Sequence, residues 1–192
     1  MLAIEELIRR YEAGGGHLAK ANAEGLAVPP ALRTVVLTCM DSRLDVFALF
    51  GLQMGEVHVL RNAGGVVTDD VIRSLTISQR KLQTREILLM QHAGCGLGTF
   101  TDEEFSEELA NEVGIRPAWR THAFRDPVLS VRRGMAQLQH DPFLLPGTRV
   151  RGFVVDIETF DLEEVFVEQG APSVVRTPAV GVPQISQAAA GG

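Results

Sequence analysis

Two short polar segments carry both cysteines of this 192-residue chain. One is Cys39-Met40-Asp41-Ser42-Arg43, directly after the apolar run Thr34-Val35-Val36-Leu37-Thr38. The other is His92-Ala93-Gly94-Cys95-Gly96, directly after Ile87-Leu88-Leu89-Met90. Two thiolates, an imidazole and a carboxylate form a ligand set suited to tetrahedral zinc, one ion per chain. A buried cysteine taken alone reads as a small core hydrophobe. Both segments at the ends of predicted strands point instead to one shared site, with Cys39, Asp41, His92 and Cys95 as candidate ligands. A purely structural zinc is the alternative, because two thiolates are common in closed sites. Asp41 speaks against it: a carboxylate is an exchangeable ligand, and Arg43 offers it a competing partner.

That competition implies a mechanism. Thiolate donation makes zinc a weaker Lewis acid than three imidazoles would. If Asp41 leaves the metal and pairs with Arg43, water takes the open position and is deprotonated. A salt-bridged Asp41 stays ionised and accepts the hydrogen bond of the resulting hydroxide. Arg43 then orients Asp41 without touching the reacting atoms. The expected chemistry is attack of zinc-bound hydroxide on a small electrophilic carbon, with Asp41 and Arg43 as the catalytic pair.

The elements that must position these residues are legible from periodicity and punctuation. Ile4, Leu7, Ile8 and Tyr11 form a helical stripe, ended or hinged at Gly14-Gly15-Gly16. Strands are predicted at about 33–38, 57–61, 86–91 and 151–157. Thr68-Asp69-Asp70 supplies an N-cap and first-turn acids for a helix carrying Val71, Ile72, Leu75 and Leu82. A longer excursion, with acidic 102–112 and a turn at Pro117 and Trp119, precedes a helix around 126–140. Strands alternating with helices predict an α/β fold with a mostly parallel sheet flanked by helices. Ligands in such a sheet sit beyond the carboxyl ends of strands, where strand order reverses. If the first and third strands are neighbours, both segments reach one crevice.

A length of 192 residues suits one domain with a sizeable core. The expected division is a single α/β zinc-enzyme domain over 1–170, including an N-terminal helical arm over 1–22, and a flexible tail over 171–192. Apolar residues at 45% and charged residues at 22% are ordinary for a globular protein. A net charge of −6 gives no basic footprint for nucleic acid. No apolar run approaches the roughly 20 residues of a membrane span, and the acidic start Met1-Leu2-Ala3-Ile4-Glu5-Glu6 does not read as a signal peptide. Ligand-like cysteines argue against a disulfide framework and for a reducing cytoplasm. The expected partners are a small gaseous substrate and further copies of the chain, with neither nucleic acid nor membrane. A dinucleotide site is excluded, because no G-x-G-x-x-G follows the first strand.

Over roughly residues 30–160 the chain resembles the β-class carbonic anhydrases. Cys39-x-Asp41-Ser42-Arg43 and His92-x-x-Cys95-Gly96 are both in register, as are Arg61-Asn62-Ala63-Gly64-Gly65 and Asp70-x-x-Ile72-Arg73-Ser74. The resemblance implies Cys39, His92 and Cys95 as zinc ligands and Asp41 and Arg43 as the catalytic dyad, with Asp41 able to be the fourth ligand. It also implies an N-terminal helix reaching over a neighbouring subunit, and homodimers or dimers of dimers with sites at the interface. Plant-type members carry a Gln before the first strand and a Phe and Tyr after the Arg-Asn segment. Leu26 to Arg33 contains no Gln here, and Val66 to Ser78 contains neither aromatic. The chain therefore resembles the archaeal-type branch, which also contains carbonyl sulfide and carbon disulfide hydrolases. Gly94 stands where relatives in that branch often have Asp.

The expected reaction is reversible hydration of CO2 to bicarbonate and a proton. The alternatives are hydrolysis of COS or CS2 on the same hydroxide and, in another class, a zinc-thiolate sensor without turnover. Among the remaining residues, His58 reads as a packed strand residue. His17, His122 and His140 have no spacing that singles one out as a proton shuttle. Ala63-Gly64-Gly65 reads as a tight turn at a crowded strand end. The acidic 102–108 run reads as a solvated face. Trp119 and Phe124 are candidates for the pocket or an interface.

Overall fold

A computed structural model describes residues 3–167 and 174–177. Its centre is a sheet in the order β2-β1-β3-β4-β5-β6 among the described residues. The strands are β1 (Thr34–Cys39), β2 (Val57–Asn62), β3 (Glu86–His92), β4 (Arg149–Val155), β5 (Leu162–Val165) and β6 (Val174–Thr177). The first four are mutually parallel, and β5 and β6 add antiparallel at one edge. The expected four strands are therefore present, with β1 and β3 side by side. The hairpin partner β5 was not expected, because Leu162-Glu163-Glu164-Val165 is too short and acidic to read as a strand. Four residues of the expected tail form β6, and the remainder, 171–173 and 178–192, lies outside the described residues.

Four of the helices start at a side-chain cap. Helix α4 (Asp69–Leu82) is capped by the Thr68 hydroxyl, which accepts from Val71 N. Helix α6 (Pro127–His140) has Asp126 as N-cap and proline in its first turn, where a missing N–H costs nothing. Helix α5 (Asp102–Val113) closes a reciprocal capping box between Thr101 and Glu104. The short α3 (Val46–Phe50) is capped by Asp45. The arm is α1 (Ala3–Arg10), which continues through a wide turn at 11–15 into α2 (Gly16–Ala23). The three glycines thus hinge the arm rather than end it, with Gly14 at φ 121° absorbing the bend.

The core sits on both faces of the sheet. On one, Val35, Leu37, Ile87, Leu89 and Val154 pack against Val71, Ile72 and Leu75 of α4 and Val131, Met135 and Leu138 of α6. On the other, Met90, Phe153 and Val155 pack with Leu44 and, at the margin, Leu49 and Phe50. Near-continuous burial of β1 and β3 explains their unbroken apolar runs, as a two-sided parallel sheet requires. Helix α6 lies close to the sheet because Gly152 offers no side chain there. A Cβ on Gly152 would stand 2.5 Å from Val131 Cγ1.

Candidate metal centre

Chain order departs from β1 in both directions, to β2 on one side and to β3 on the other. The carboxyl ends of β1 and β3 therefore flank the switch point at which such sheets bind ligands. Cys39 is the last residue of β1 and His92 the last of β3. Cys95 follows three residues on, after a turn at Gly94 (φ 67°). Cys39, His92 and Cys95 are all buried, and their ligating atoms lie within 4.8 Å of one another.

The donor set fits zinc. The two sulfurs are 4.0 Å apart and the cysteines are free. Tetrahedral coordination with Zn–S near 2.3 Å would set them about 3.8 Å apart. His92 Nδ1 lies 2.9 Å from the carbonyl oxygen of Ala93. Donation to that carbonyl fixes the tautomer with the Nε2 lone pair free. Nε2 is buried and has no hydrogen-bond partner, a costly arrangement that a metal ion would relieve.

Electrostatics prepare the thiols unequally. Burial opposes ionisation of Cys39, but the nearby His92 ring and the backbone N–H groups of Asp41 and Gly64 outweigh it and lower the thiol to about 7. Burial pushes the Cys95 thiol up, and the neighbouring Cys39 adds to the shift. Proximity to Cys39 raises the His92 imidazole against the opposing effect of burial.

Asp41 stands beside the cluster, with Oδ2 3.7 Å from His92 Nε2. Arg43 grips it at both oxygens: Nε donates to Oδ1 at 2.9 Å and Nη2 to Oδ2 at 2.7 Å. The Arg43 backbone N–H also donates to Oδ1. This fork holds the Asp41 carboxyl well below the usual carboxylate range. All five residues expected from the sequence thus meet in one place. Asp41 occupies the arginine-paired arrangement, the alternative to ligation.

The loop that carries them is itself clamped, through residues whose contribution spacing alone did not reveal. Arg61, near the end of β2, donates from Nε to the Cys39 carbonyl at 2.9 Å and from Nη2 to the Asp41 carbonyl at 2.6 Å. Asn62 closes the next turn by donating to Val66 O and accepting from Val66 N. Gly65 (φ 62°) lets that turn touch the strand ends: a Cβ there would lie 2.8 Å from Cys39 N. The crowded-turn reading of Ala63-Gly64-Gly65 describes this contact.

A cavity of about 280 Å³ opens beside the cluster, lined by His92, Cys95, Phe124 and Pro127 among others. Phe124 therefore faces the centre, whereas Trp119 is largely exposed. His58 packs in its strand, its Nδ1 2.8 Å from Ser78 Oγ, and burial lowers its basicity. His17 and His140 are exposed on helices.

A profile of the carbonic anhydrase family matches residues 34–141, more than half of the chain. This chain belongs to the β-carbonic anhydrase family. β-Carbonic anhydrase 1 of Mycobacterium tuberculosis is 49% identical over 140 residues, covering 73% of this chain and 86% of the relative. A carbon disulfide hydrolase of Acidianus is 31% identical over 165 residues, covering 71% and 79%. The crystal structure of a carbonic anhydrase from Streptococcus mutans superposes with a TM-score of 0.78 at 37% identity, covering 86% of this chain and 99% of that one. β-Carbonic anhydrases are zinc enzymes, so zinc is the cofactor of this chain, and Cys39, His92 and Cys95 are the group arranged as a potential metal site.

Proposed function

We propose that this enzyme hydrates CO2 reversibly to bicarbonate and a proton at a zinc held by Cys39, His92 and Cys95. The observation that carries the reading is the Asp41–Arg43 fork beside three converging ligand atoms. When bound, zinc supplies the Lewis acidity that turns water into a nucleophile near neutral pH. The chain's own residues do the rest. Arg43 keeps Asp41 ionised and fixes its carboxylate plane. Asp41 accepts a hydrogen bond from the attacking water, so that a lone pair of that water faces the substrate carbon. Arg61 holds the loop carbonyls on either side of Asp41 and thereby its position. Phe124 and Pro127 give the cavity an apolar wall that receives an uncharged gas. Asp41 is the alternative fourth ligand, available when Arg43 releases it.

Hydrolysis of COS or CS2 is the second reading, supported by the carbon disulfide hydrolase among the relatives. Both substrates offer the same electrophilic carbon. Family membership makes the chain an enzyme, so the sensor reading is not carried further. We further infer a cytoplasmic location, because both cysteines are free, and a homodimer or dimer of dimers, because α1 leaves Ile4, Leu7 and Ile8 exposed.

The test is stopped-flow CO2 hydration by zinc-loaded protein between about pH 7 and 9. Fast turnover that rises with pH and disappears on chelation supports carbonic anhydrase activity. Full zinc occupancy with negligible CO2 turnover, but release of sulfide from COS or CS2, transfers the assignment to the second reading.

A further inference from the structure

Hydration of CO2 releases a proton as well as bicarbonate, and neither Asp41 nor His92 is free to carry that proton away. The Arg43 fork keeps the Asp41 carboxyl ionised. His92 has Nδ1 committed to the Ala93 carbonyl, and its other ring nitrogen belongs to the ligand cluster. Arginine does not give up its proton near neutral pH. Sustained turnover therefore needs a group outside the ligand set that changes charge in that range and reaches solvent.

Of the five histidines, four lie outside the centre. His17 is on the arm, His58 is packed against Ser78, and His140 ends α6 with Nδ1 2.7 Å from the Ala136 carbonyl oxygen. Of these four, all among the described residues, His122 is the one that lines a cavity beside the centre. That cavity, of about 420 Å³, adjoins the metal-site cavity and shares Phe124 and Arg125 with its wall. Its lining includes Gln91, which immediately precedes the ligand His92, and His122 itself, which is exposed. One residue thus borders both the interior beside the centre and bulk solvent.

His122 is also held where its backbone does not rest by preference. Its φ is 55°, in the left-handed region. Asp102 fixes the residues on either side, accepting from Thr121 Oγ1 and Ala123 N. Phe124 N donates to Leu97 O, which ties the same loop to the segment after Cys95. Surroundings that over-determine such a conformation are characteristic of functional positions. The acids of this cavity are not alternatives to the imidazole. Asp102 is taken up by these bonds and by Arg120 Nε, and Asp126 caps α6. The remaining charged groups that line it, Arg120, Arg125 and Arg133, stay protonated.

We propose that His122 is the proton-transfer residue of this enzyme, moving the proton released by hydration from the inner cavity to solvent. The assignment rests on CO2 hydration as the proposed reaction. Water in the two cavities, which have room for it, relays the proton past Phe124 and Arg125 to an unprotonated nitrogen of the imidazole. The imidazolium then gives a proton to a buffer base, and the neutral ring is restored for the next turnover.

Proton export follows C–O bond formation, so loss of His122 lowers kcat and spares kcat/KM. The test variant is His122→Asn, because asparagine tolerates positive φ and does not titrate. His122→Gly replaces it if that variant does not fold. Zinc-loaded proteins are assayed by stopped-flow CO2 hydration in weak buffer. The expected result is a fall in kcat of about 10-fold or more, with kcat/KM and zinc content unchanged. Added imidazole is expected to restore kcat in the variant and to leave the unmodified protein nearly as it was. Independently of turnover, diethyl pyrocarbonate is expected to modify His122 in the zinc-loaded protein, read by peptide mass spectrometry. An unchanged kcat in weak buffer, a loss that imidazole does not repair, or no adduct at His122 overturns the assignment alone. Absence of CO2 turnover in the unmodified protein is the separate failure of the proposed function, and removes this step with it.

Discussion

At the scale of single residues, the proposed chemistry turns on the arrangement of Asp41 and Arg43. A bidentate fork matters here for direction more than for stability, because Arg43 is mostly exposed and such pairs contribute little to folding. The hydrogen bonds from Arg43 depress the Asp41 carboxyl, so its contribution is present above the unfolded value near 3.9 and is lost only as pH falls through the lower folded value. In Arg43→Met, Asp41 is expected to titrate back toward about 3.9, visible in carboxylate carbon NMR. It remains ionised at pH 7 in that variant. A fall in kcat/KM there, expected at about 10- to 100-fold, then reports lost orientation and not protonation. Unchanged turnover at pH 7, with the shifted titration present, would remove Arg43 from the mechanism.

At the scale of elements, the site depends on how closely the turn after β2 approaches the ends of β1 and β3. Gly65 is held at positive φ with Cys39 N, Thr38 C and Met90 O all within 3.0 Å of a prospective Cβ. Those neighbours are backbone atoms of the ligand-bearing strands, so they can yield only by moving the site. Gly65→Ala combines left-handed strain with overpacking and is expected to destabilise by about 3 kcal/mol. For a chain of this size that lowers Tm by roughly 6–12 °C in calorimetry, and zinc content is expected to fall with it. A variant with unchanged Tm and full zinc would show that the turn has slack the geometry does not suggest. Asn62, which closes the same turn from both sides of Val66, and Arg61, which clamps the Asp41 loop, belong to this supporting layer.

At the scale of the molecule, the arm is the unbalanced part. No residue of α1 is buried, although Ile4, Leu7, Ile8 and Tyr11 fall on one helical stripe. No residue of the continuation through α2 is buried either, and helices in proteins draw most of their stability from packing an apolar face. A second copy is the inferred support. Multi-angle light scattering is expected to give a dimer or larger for the unmodified chain and a monomer for the double variant Leu7→Asp, Ile8→Asp. A monomeric unmodified chain, or an unchanged mass in the variant, would sink this assembly.

The sequence alone determined the parallel α/β core and the five residues at its switch point. Buried parallel strands must be unbroken apolar runs, and the polar chemistry must follow them, so Thr34–Cys39 and Glu86–His92 announce both the sheet and the site. The α5 helix was missed although Thr101-x-x-Glu104 spells its capping box, because its acidic face carries no buried stripe. The edge strands β5 and β6 were also not legible. Edge strands take their order from pairing with a neighbour and not from their own composition. Only the tertiary structure decided that Asp41 is turned toward Arg43, that Arg61 holds the loop carbonyls, and that Gln91 borders a second cavity. Those facts depend on side-chain direction and on contacts between residues far apart in the chain, which local spacing does not encode.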